Sequence, residues 1–512
     1  MSKKVILIAF VVSLGGFLFG FDAGIISGVM SYAGPEFNLN DIQIGWVVSS
    51  PSFAAMIAML IAGRLSDIIG RKKILIFVAF LYAVSAVFSA YASSYETLYI
   101  ARMIGGFGFG AALVLAPTYI AEISSAKNRG KLVSLQQLNI VLGFFAAFLS
   151  NYYLNKVNSA GSDFFTDKNV WRYMLGIEFI PAILYFIFMF FVPRSPRWLY
   201  TKNMVDEAKR ILHRIYGSEI ATEEIRTIEG VAKSTDNSKV SLKSLLKPSL
   251  RFILLVGLVI GVLQQITGIN AVYFYATSIF KQTGIGTDAA FSSGVLLSFI
   301  TVLFTFVAIF LIDRMGRRPL LLIGVAGISI SLLLCAYGFN QATYKLTANE
   351  ISTIELTGMT PDQLAFAIDK QYSNDLDFKN DMKQSLGTQI YAKNEGAILE
   401  AATSINATLI LAGILGFIAC FAFSLGPVMW VLLSELYPIK YRGLAIGVIG
   451  FVNSFTSWVV QQVFPWELSN LGNAVSFLIF GLIALVGFGV LLKILPETKG
   501  KSLEEIEAEY VK

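Results

Sequence analysis

Three charged residues lie inside long apolar runs of this sequence, where they are candidates for proton chemistry. Asp22 lies in the middle of the first run, Arg102 near the start of the fourth and Glu178 early in the sixth. Burying a charge away from water is costly, so charges at such positions usually serve a function. We expect Asp22 and Arg102 to pair, and a carboxylate whose partner moves away becomes costly to keep charged and takes up a proton. A purely structural ion pair is the alternative, and Glu178 is either a second relay group or part of a cytoplasmic polar network.

The uncharged polar residues within the apolar runs suit a neutral polyol. An amide side chain donates and accepts hydrogen bonds from one planar group, and an indole covers the apolar face of a sugar ring. Each such residue alone is more often a helix–helix hydrogen bond. Thr267 and Gly268 mark a place where a helix should unwind near the membrane midplane, which strengthens the case for their neighbours. The candidates for substrate binding are Gln137, Gln264, Gln265, Asn270, Trp430 and Asn453.

Acidic and basic residues recur at fixed spacing in the connectors between the apolar runs. One motif has an acid four residues before an arginine, and the other has an acid seven residues before one. Each motif occurs once in each half of the chain. These side chains could form ion pairs that close a cytoplasmic gate, or they could only anchor helix ends. The gate candidates are Arg64, Asp67, Arg71, Glu122, Arg129, Asp313, Arg317, Glu435 and Arg442.

Length and composition predict that these residues belong to an integral membrane protein. The 512 residues are 55% hydrophobic and only 14% charged, with a mean hydropathy of +0.66, whereas soluble proteins are about one quarter charged. Apolar runs of roughly 20 residues match the hydrocarbon thickness of a bilayer. Twelve runs are recognised, at 5–30, 43–63, 74–92, 97–118, 132–154, 171–192, 250–280, 290–312, 319–339, 405–432, 443–465 and 473–495.

The charge pattern predicts orientation and argues against nucleic-acid binding. The net charge of +6 arises from Lys and Arg in short connectors and not on one basic face. These cations occupy alternate connectors, so the positive-inside rule places both termini in the cytoplasm. The first run is too long for a cleaved signal peptide and is predicted to be an uncleaved helix. The cysteines Cys335 and Cys420 lie in apolar runs and His213 stands alone, which predicts no metal site.

The runs divide the chain into two similar halves. We predict an N-terminal six-helix half at 1–192, a cytoplasmic helical linker at 193–249, a C-terminal half at 250–495 and a cytoplasmic tail at 496–512. Within the linker, the pattern predicts short amphipathic helices around 206–215 and 222–231. A polar stretch at 340–404 is predicted to be an extracytoplasmic insert, with Thr360 and Pro361 at the start of a capped helix. The duplication of the connector motifs indicates a transporter with its substrate site at the midplane between the halves.

Taken together, the motifs resemble the signature set of the sugar porter family of the major facilitator superfamily. The segments that carry the resemblance are 63–72, 117–130, 192–198, 264–270, 426–430 and 496–500, and those around Asp22 and at 178–182 further resemble bacterial xylose/proton symporters. The resemblance implies an all-helical major facilitator fold with twelve spans, Asp22 as the protonation site, Arg102 as its partner, and the six polar candidates as sugar contacts. Facilitative glucose transporters carry a neutral residue at the position of Asp22, which favours symport.

We therefore expect a monomeric transporter in a bacterial inner membrane that takes up a pentose or hexose with a proton by alternating access. No enzyme activity and no cofactor other than the coupling proton are implied. The alternatives are a facilitative uniporter with a structural Asp22, a sugar sensor, which would be expected to carry a longer tail, and a drug antiporter, which would have a more apolar centre. Four departures from the family pattern leave the particular sugar open: Arg194, Phe274, Thr301 and Ser454.

Overall fold

The computed structural model confirms the twelve predicted spans. It describes residues 2–125, 128–217, 221–226, 242–354, 356–500 and 505–506, apart from the side chains at 313 and 439. Twelve helices among these residues are long and apolar enough to cross a membrane. Spans 1 to 12 are Lys3–Glu36, Asp41–Ile69, Arg71–Ala90, Tyr95–Ile123, Arg129–Ser159, Val170–Phe191, Pro248–Phe274, Thr287–Ile312, Arg317–Asn340, Ala407–Leu436, Lys440–Asn470 and Gly472–Ile494.

Span 6 is interrupted where a proline removes a backbone donor. Its two helices are Val170–Gly176 and Phe179–Phe191. Pro181 has no N–H to bond to the carbonyl of Ile177, and a proline in a helix disrupts the preceding turn. Glu178 lies in the resulting break, at the start of the second helix.

Span 7 unwinds at the position that the sequence predicts. Its first helix, Pro248–Ile266, ends before Thr267, and the chain resumes as Ile269–Phe274 and then Ala276–Lys281. Gly268 has φ of 85°, in the left-handed region that glycine adopts most easily. Span 10 is also divided, into Ala407–Phe423 and Leu425–Leu436.

The chain forms two compact units, and the first contains most of the N-terminal half. It comprises Met1–Ala23, Ser50–Ala147 and Leu175–Ser241. Glycines of span 4 allow span 2 to approach closely, because a Cβ on Gly106 or Gly110 would collide with backbone atoms of span 2.

The predicted amphipathic helices of the linker are confirmed where the structure describes them. Pro196–Thr201 is followed by Val205–Tyr216, and residues 221–226 are also helical. The helix Val205–Tyr216 buries Ala208, Leu212 and Ile215 along one face. The rest of the second predicted linker helix lies outside the described residues, and a short 3₁₀ helix, Leu242–Leu246, precedes span 7.

The second unit contains Gly24–Ser49, Phe148–Met174 and Leu242–Lys512. Its polar stretch between spans 9 and 10 is a small folded insert with its own apolar core, which includes Tyr344 and Phe378. Strand β1 (Thr343–Lys345) pairs antiparallel with both β2 (Gln371–Tyr372) and β3 (Thr403–Ser404). The insert's helices are Ala348–Thr353, the 3₁₀ helix Pro361–Ala367, Asp375–Leu386 and Thr388–Ala402.

The predicted helix start at Thr360 and Pro361 is correct, although the helix is 3₁₀. Thr360 and Gln363 form a reciprocal capping box, and Pro361 occupies the first turn.

A buried polar cluster attaches the insert to the spans of the second unit. Lys379 donates to Asp375 at 3.2 Å and to Gln282 at 2.9 Å. Asn473, at the start of span 12, donates to Asp375 at 2.8 Å and also to Gln282. All four side chains are buried, so among the described residues the charged pair is compensated within this cluster.

We expect Lys379→Met to detach the insert from the spans. The change leaves the Asp375 carboxylate buried without its cation, which costs roughly 3–5 kcal/mol in such pairs. Limited proteolysis of the purified protein should then cut within residues 370–390 much faster than in the native chain. Lys393→Met, at an exposed position of the same insert, is the matched control, and equal cleavage rates in all three proteins would contradict the prediction.

Candidate functional site

The predicted ion pair between spans 1 and 4 forms in the first unit. Arg102 donates from Nη1 to Oδ1 of Asp22 at 3.2 Å and from Nη2 to Oδ2 at 3.4 Å. Asp22 is 5% exposed and Arg102 is 1% exposed. The two-point geometry compensates the charge of the carboxylate while the arginine stays in place. Loss of that contact would leave a buried carboxylate that protonation neutralises.

Glu178 belongs to the same group of charges. It is 3% exposed and lies within electrostatic range of both Asp22 and Arg102. One arginine therefore faces two carboxyl groups in a medium of low dielectric constant. Such an arrangement favours one bound proton on the carboxyl pair, because one arginine compensates only one of the two negative charges.

Four of the predicted substrate residues form one amide network in the second unit. Gln265 donates to Gln264 and to Asn453, each at 3.2 Å, and accepts from Asn270 at 2.8 Å. Asn453 donates to Gln264 at 2.8 Å and to the Gly261 carbonyl at 2.7 Å. The break at Gly268 brings these residues together, because it turns Asn270 back towards Gln265.

The amide network fixes the orientation of each side chain while keeping every group neutral. Gln264 also donates to the carbonyls of Leu425 and Gly426, at 2.9 and 3.4 Å, beside the break in span 10. None of these contacts among the described residues involves a charged side chain. A neutral, multiply hydroxylated ligand can exchange hydrogen bonds with such a network without an electrostatic penalty.

The remaining two substrate candidates do not join this network in the described contacts. Trp430 is 42% exposed on the second helix of span 10, and its ring lies 3.8 Å from the position that a Cβ on Gly450 would take. Gln137 lies on span 5 in the first unit and is partly buried. Both remain predictions as substrate contacts.

The amide network also includes residues that were not predicted from the sequence. Ser457 accepts from Asn270 at 2.6 Å and from Gln461 at 2.8 Å. Both follow Asn453 at intervals of four on span 11 and therefore share its face. Thr301, noted only as a departure from the family, shares a 2.6 Å hydrogen bond with Tyr273.

The linker-side gate candidates of the first unit form a compact ion cluster. Arg71 contacts Asp67 at 2.7 Å and Glu122 at 3.0 Å. The side chain of Ser195 in the linker also bonds Glu122. Trp198 donates from its indole to the Asp67 carbonyl at 3.0 Å. The cluster thus joins spans 2, 3 and 4 to the linker.

The equivalent cluster in the second unit adds residues from the C-terminal segment. Arg317 contacts Glu435 at 2.7 Å, and Thr498 donates to the same carboxylate at 2.6 Å. Glu497 accepts from the backbone N–H groups at the start of span 9. Burial alone would raise the pKa of Glu497, but the N–H groups of residues 499, 317, 318 and 498 stabilise its carboxylate and hold the pKa below its usual value.

Four gate candidates are not brought into these ion pairs by the described contacts. Arg64 is exposed, and Arg442 donates to the Tyr437 carbonyl at 3.2 Å. Arg129 lies within electrostatic range of Arg197. The side chain of Asp313 lies outside the described residues. The duplicated spacing of the connector motifs predicts the two ion clusters. It does not predict which of the charged residues form ion pairs.

The ends of the spans nearest the insert are also tied together within the second unit. Ser27 of span 1 shares a 2.9 Å hydrogen bond with Thr277, and Asp288 of span 8 accepts from Asn155 and Ser159 of span 5 at 2.6 and 3.0 Å. These contacts link spans of the N-terminal half to spans of the C-terminal half. We call this set the insert-side latch, together with the contact between Ser49 and Gln462 at 2.8 Å.

We expect Asp288→Ala to loosen the insert-side latch. The change removes one acceptor from two side chains of span 5, and hydrogen bonds to a charged group each contribute roughly 1.5–3 kcal/mol. Amide hydrogen exchange at residues 148–160 should accelerate by about tenfold or more. Asp362→Ala, at an exposed position of the insert, should leave the exchange unchanged, and protection equal to the native chain's in Asp288→Ala would refute the latch.

Comparison with known proteins places the chain among transporters. The family model described as "Sugar (and other) transporter" matches residues 8–360 and 384–510. The arabinose-proton symporter of Bacillus subtilis is 33% identical over 99% of this chain and 95% of that protein. The major myo-inositol transporter IolT of the same species is 32% identical over 98% of this chain and 93% of its own length. The inward-open structure of the xylose transporter XylE from E. coli superposes with a TM-score of 0.75 at 28% identity, covering 99% of this chain and all of that one.

Proposed function

Because the chain belongs to the sugar transporter family of the major facilitator superfamily, we propose that it takes up a monosaccharide together with a proton. The observation that carries the proposal is the buried pair of Asp22 and Arg102 with Glu178 beside it. A uniporter has no need to hold two carboxyl groups around one arginine in the membrane, since each buried charge adds cost. The family transports its substrates and is not an enzyme family.

Proton uptake on the carboxyl pair would change the contacts that Arg102 makes within the first unit. While Asp22 is charged, it holds the arginine at two points. Once Asp22 is protonated, the arginine loses its strongest partner and can turn towards Glu178. The proton therefore alters the contacts between spans 1, 4 and 6, and alternating access couples that change to sugar movement.

The amide network supports a neutral polyol as the substrate. Its members carry both donors and acceptors, and they lie at the breaks in spans 7 and 10, where transporters commonly bind their substrates. Similar proteins include transporters of arabinose, myo-inositol and xylose. We propose a pentose or hexose, with Gln137 and Trp430 supplying further contacts.

We also propose a monomer in a bacterial inner membrane with both termini in the cytoplasm. The cations in alternate connectors support this orientation through the positive-inside rule. In this orientation the linker-side ion clusters form the cytoplasmic gate, and the insert-side latch closes the extracytoplasmic side.

Transport in sealed proteoliposomes tests the proposal. Uptake of radiolabelled xylose, arabinose, glucose and galactose, and of myo-inositol, is measured with and without an inward proton gradient. Accumulation of one of them above equilibrium only with the gradient supports symport. Equilibration at the same level with or without the gradient identifies a uniporter instead, and no movement of any of them would overturn the substrate class.

A further inference from the structure

Two buried tyrosine hydroxyls lie on the linker side of the carboxyl pair in the first unit. Tyr82 of span 3 donates from its hydroxyl to the carbonyl of Gly15 on span 1 at 3.0 Å. The hydroxyl of Tyr185 on span 6 lies 3.1 Å from the position that a Cβ on Gly15 would take. Both tyrosines are completely buried, and the missing side chain of Gly15 leaves room for the Tyr185 hydroxyl.

Helix geometry aligns these hydroxyls with the charged residues. Gly15 precedes Asp22 by seven residues on span 1, and Tyr185 follows Glu178 by seven on span 6. Seven residues make about two turns, or roughly 10 Å, and return to the same face of a helix. Spans 1 and 6 run in opposite directions, so both steps lead towards the linker side. Tyr82 lies within electrostatic range of Asp22, Glu178 and Tyr185.

Packing alone does not explain a tyrosine at position 185. Among the hydrogen bonds of the described residues its hydroxyl has no partner, and an unpaired buried hydroxyl costs free energy. The surrounding core is otherwise made of side chains such as Ala112 and Met189. Phenylalanine would fill the same volume without the free-energy cost of an unpaired hydroxyl. A function of the hydroxyl is therefore needed to explain the tyrosine.

We infer that Tyr82 and Tyr185 relay the proton between the carboxyl pair and water entering from the cytoplasmic side. This inference rests on the proposed proton symport. A hydroxyl oxygen accepts a proton while its own proton passes to the next acceptor, so each tyrosine is neutral before and after the step. The proton leaves Asp22 or Glu178, passes through the hydroxyls, and is taken by water, which becomes hydronium.

The residues beyond the hydroxyls would limit proton leak when no sugar moves. Beyond Gly15, span 1 continues towards the linker side with Val12, Val11 and Ile8, which are apolar. Water can reach the hydroxyls only when this side of the bundle opens. Among the described residues, Asp22 on span 1 and Glu178 on span 6 lie within electrostatic range of Tyr82, and Arg102 on span 4 pairs with Asp22.

Replacing both hydroxyls tests the relay in the full-length protein. In Tyr82→Phe/Tyr185→Phe, gradient-driven uptake should slow by roughly tenfold or more, and its pH profile and solvent isotope effect should change. Sugar counterflow, which needs no net proton movement, should keep its native rate. Tyr437→Phe is the matched control, because that buried hydroxyl donates to the Ile253 carbonyl in the second unit.

Three outcomes would overturn the inference. Native rates and a native pH profile in the double variant would show that the hydroxyls carry no proton. Equal losses of uptake and counterflow would show a structural role only. Absence of gradient-driven accumulation in the native chain would instead overturn the proposed symport, and the relay with it.

Discussion

Asp22→Asn should abolish accumulation of sugar above equilibrium while leaving sugar exchange intact. For one proton per sugar, a gradient of one pH unit supports at most about tenfold accumulation, since about 1.4 kcal/mol corresponds to a factor of ten. The asparagine amide resembles a permanently protonated carboxyl group, so the ratio of internal to external sugar should fall to one. The measurement is radiolabelled uptake into proteoliposomes under an imposed inward proton gradient, compared with counterflow at equal pH.

The control for this prediction is Asp163→Asn, at an exposed position between spans 5 and 6. It should accumulate sugar to the native level. Native accumulation by Asp22→Asn would mean that the pair with Arg102 is structural. Loss of both accumulation and counterflow would point to misfolding, which the thermal stability of the purified variant would reveal.

Gln265→Ala should weaken sugar binding more than any other single change in the amide network. Gln265 contacts three of the other members, so its loss removes a proposed sugar contact and leaves buried amide groups unpaired. Each such group costs roughly 1–3 kcal/mol, which corresponds to about 5- to 150-fold weaker binding. The affinity is measured from quenching of tryptophan fluorescence during sugar titration of the purified protein.

Gln384→Ala, at an exposed position on the insert, provides the comparison and should bind sugar as tightly as the native chain. An unchanged affinity in Gln265→Ala would remove the network from the substrate site. The same titration applied to Gln137→Ala and Trp430→Ala would then show whether the site depends on these residues instead.

The twelve spans were predictable because a bilayer imposes a simple length and polarity requirement on each helix. The pairing of Asp22 with Arg102 was predictable for the same reason, since two opposite charges in apolar runs have few other partners. The break at Gly268 was predictable because the glycine lies close to the polar residues Gln264 and Gln265 within an apolar run. These features are local and can be recognised in the sequence alone.

The features that escaped prediction depend on contacts between distant parts of the chain. Ser457 becomes a network member only once span 11 lies beside Asn270, and serine in an apolar helix is otherwise too common to stand out. The small sheet of the insert could not be predicted from the sequence, because the strands of the sheet are only two or three residues long. The hydroxyl of Tyr185 has no partner among the hydrogen bonds of the described residues, and this depends on how the spans pack.

Internal pH is the most direct measure of coupling between sugar and proton. Proteoliposomes containing the native chain and a trapped pH dye are prepared at equal pH inside and outside, and the transported sugar is then added outside. We expect the lumen to acidify upon sugar addition in the native chain and to stay at constant pH in Asp22→Asn. Sugar entry into native proteoliposomes without any acidification would contradict proton symport.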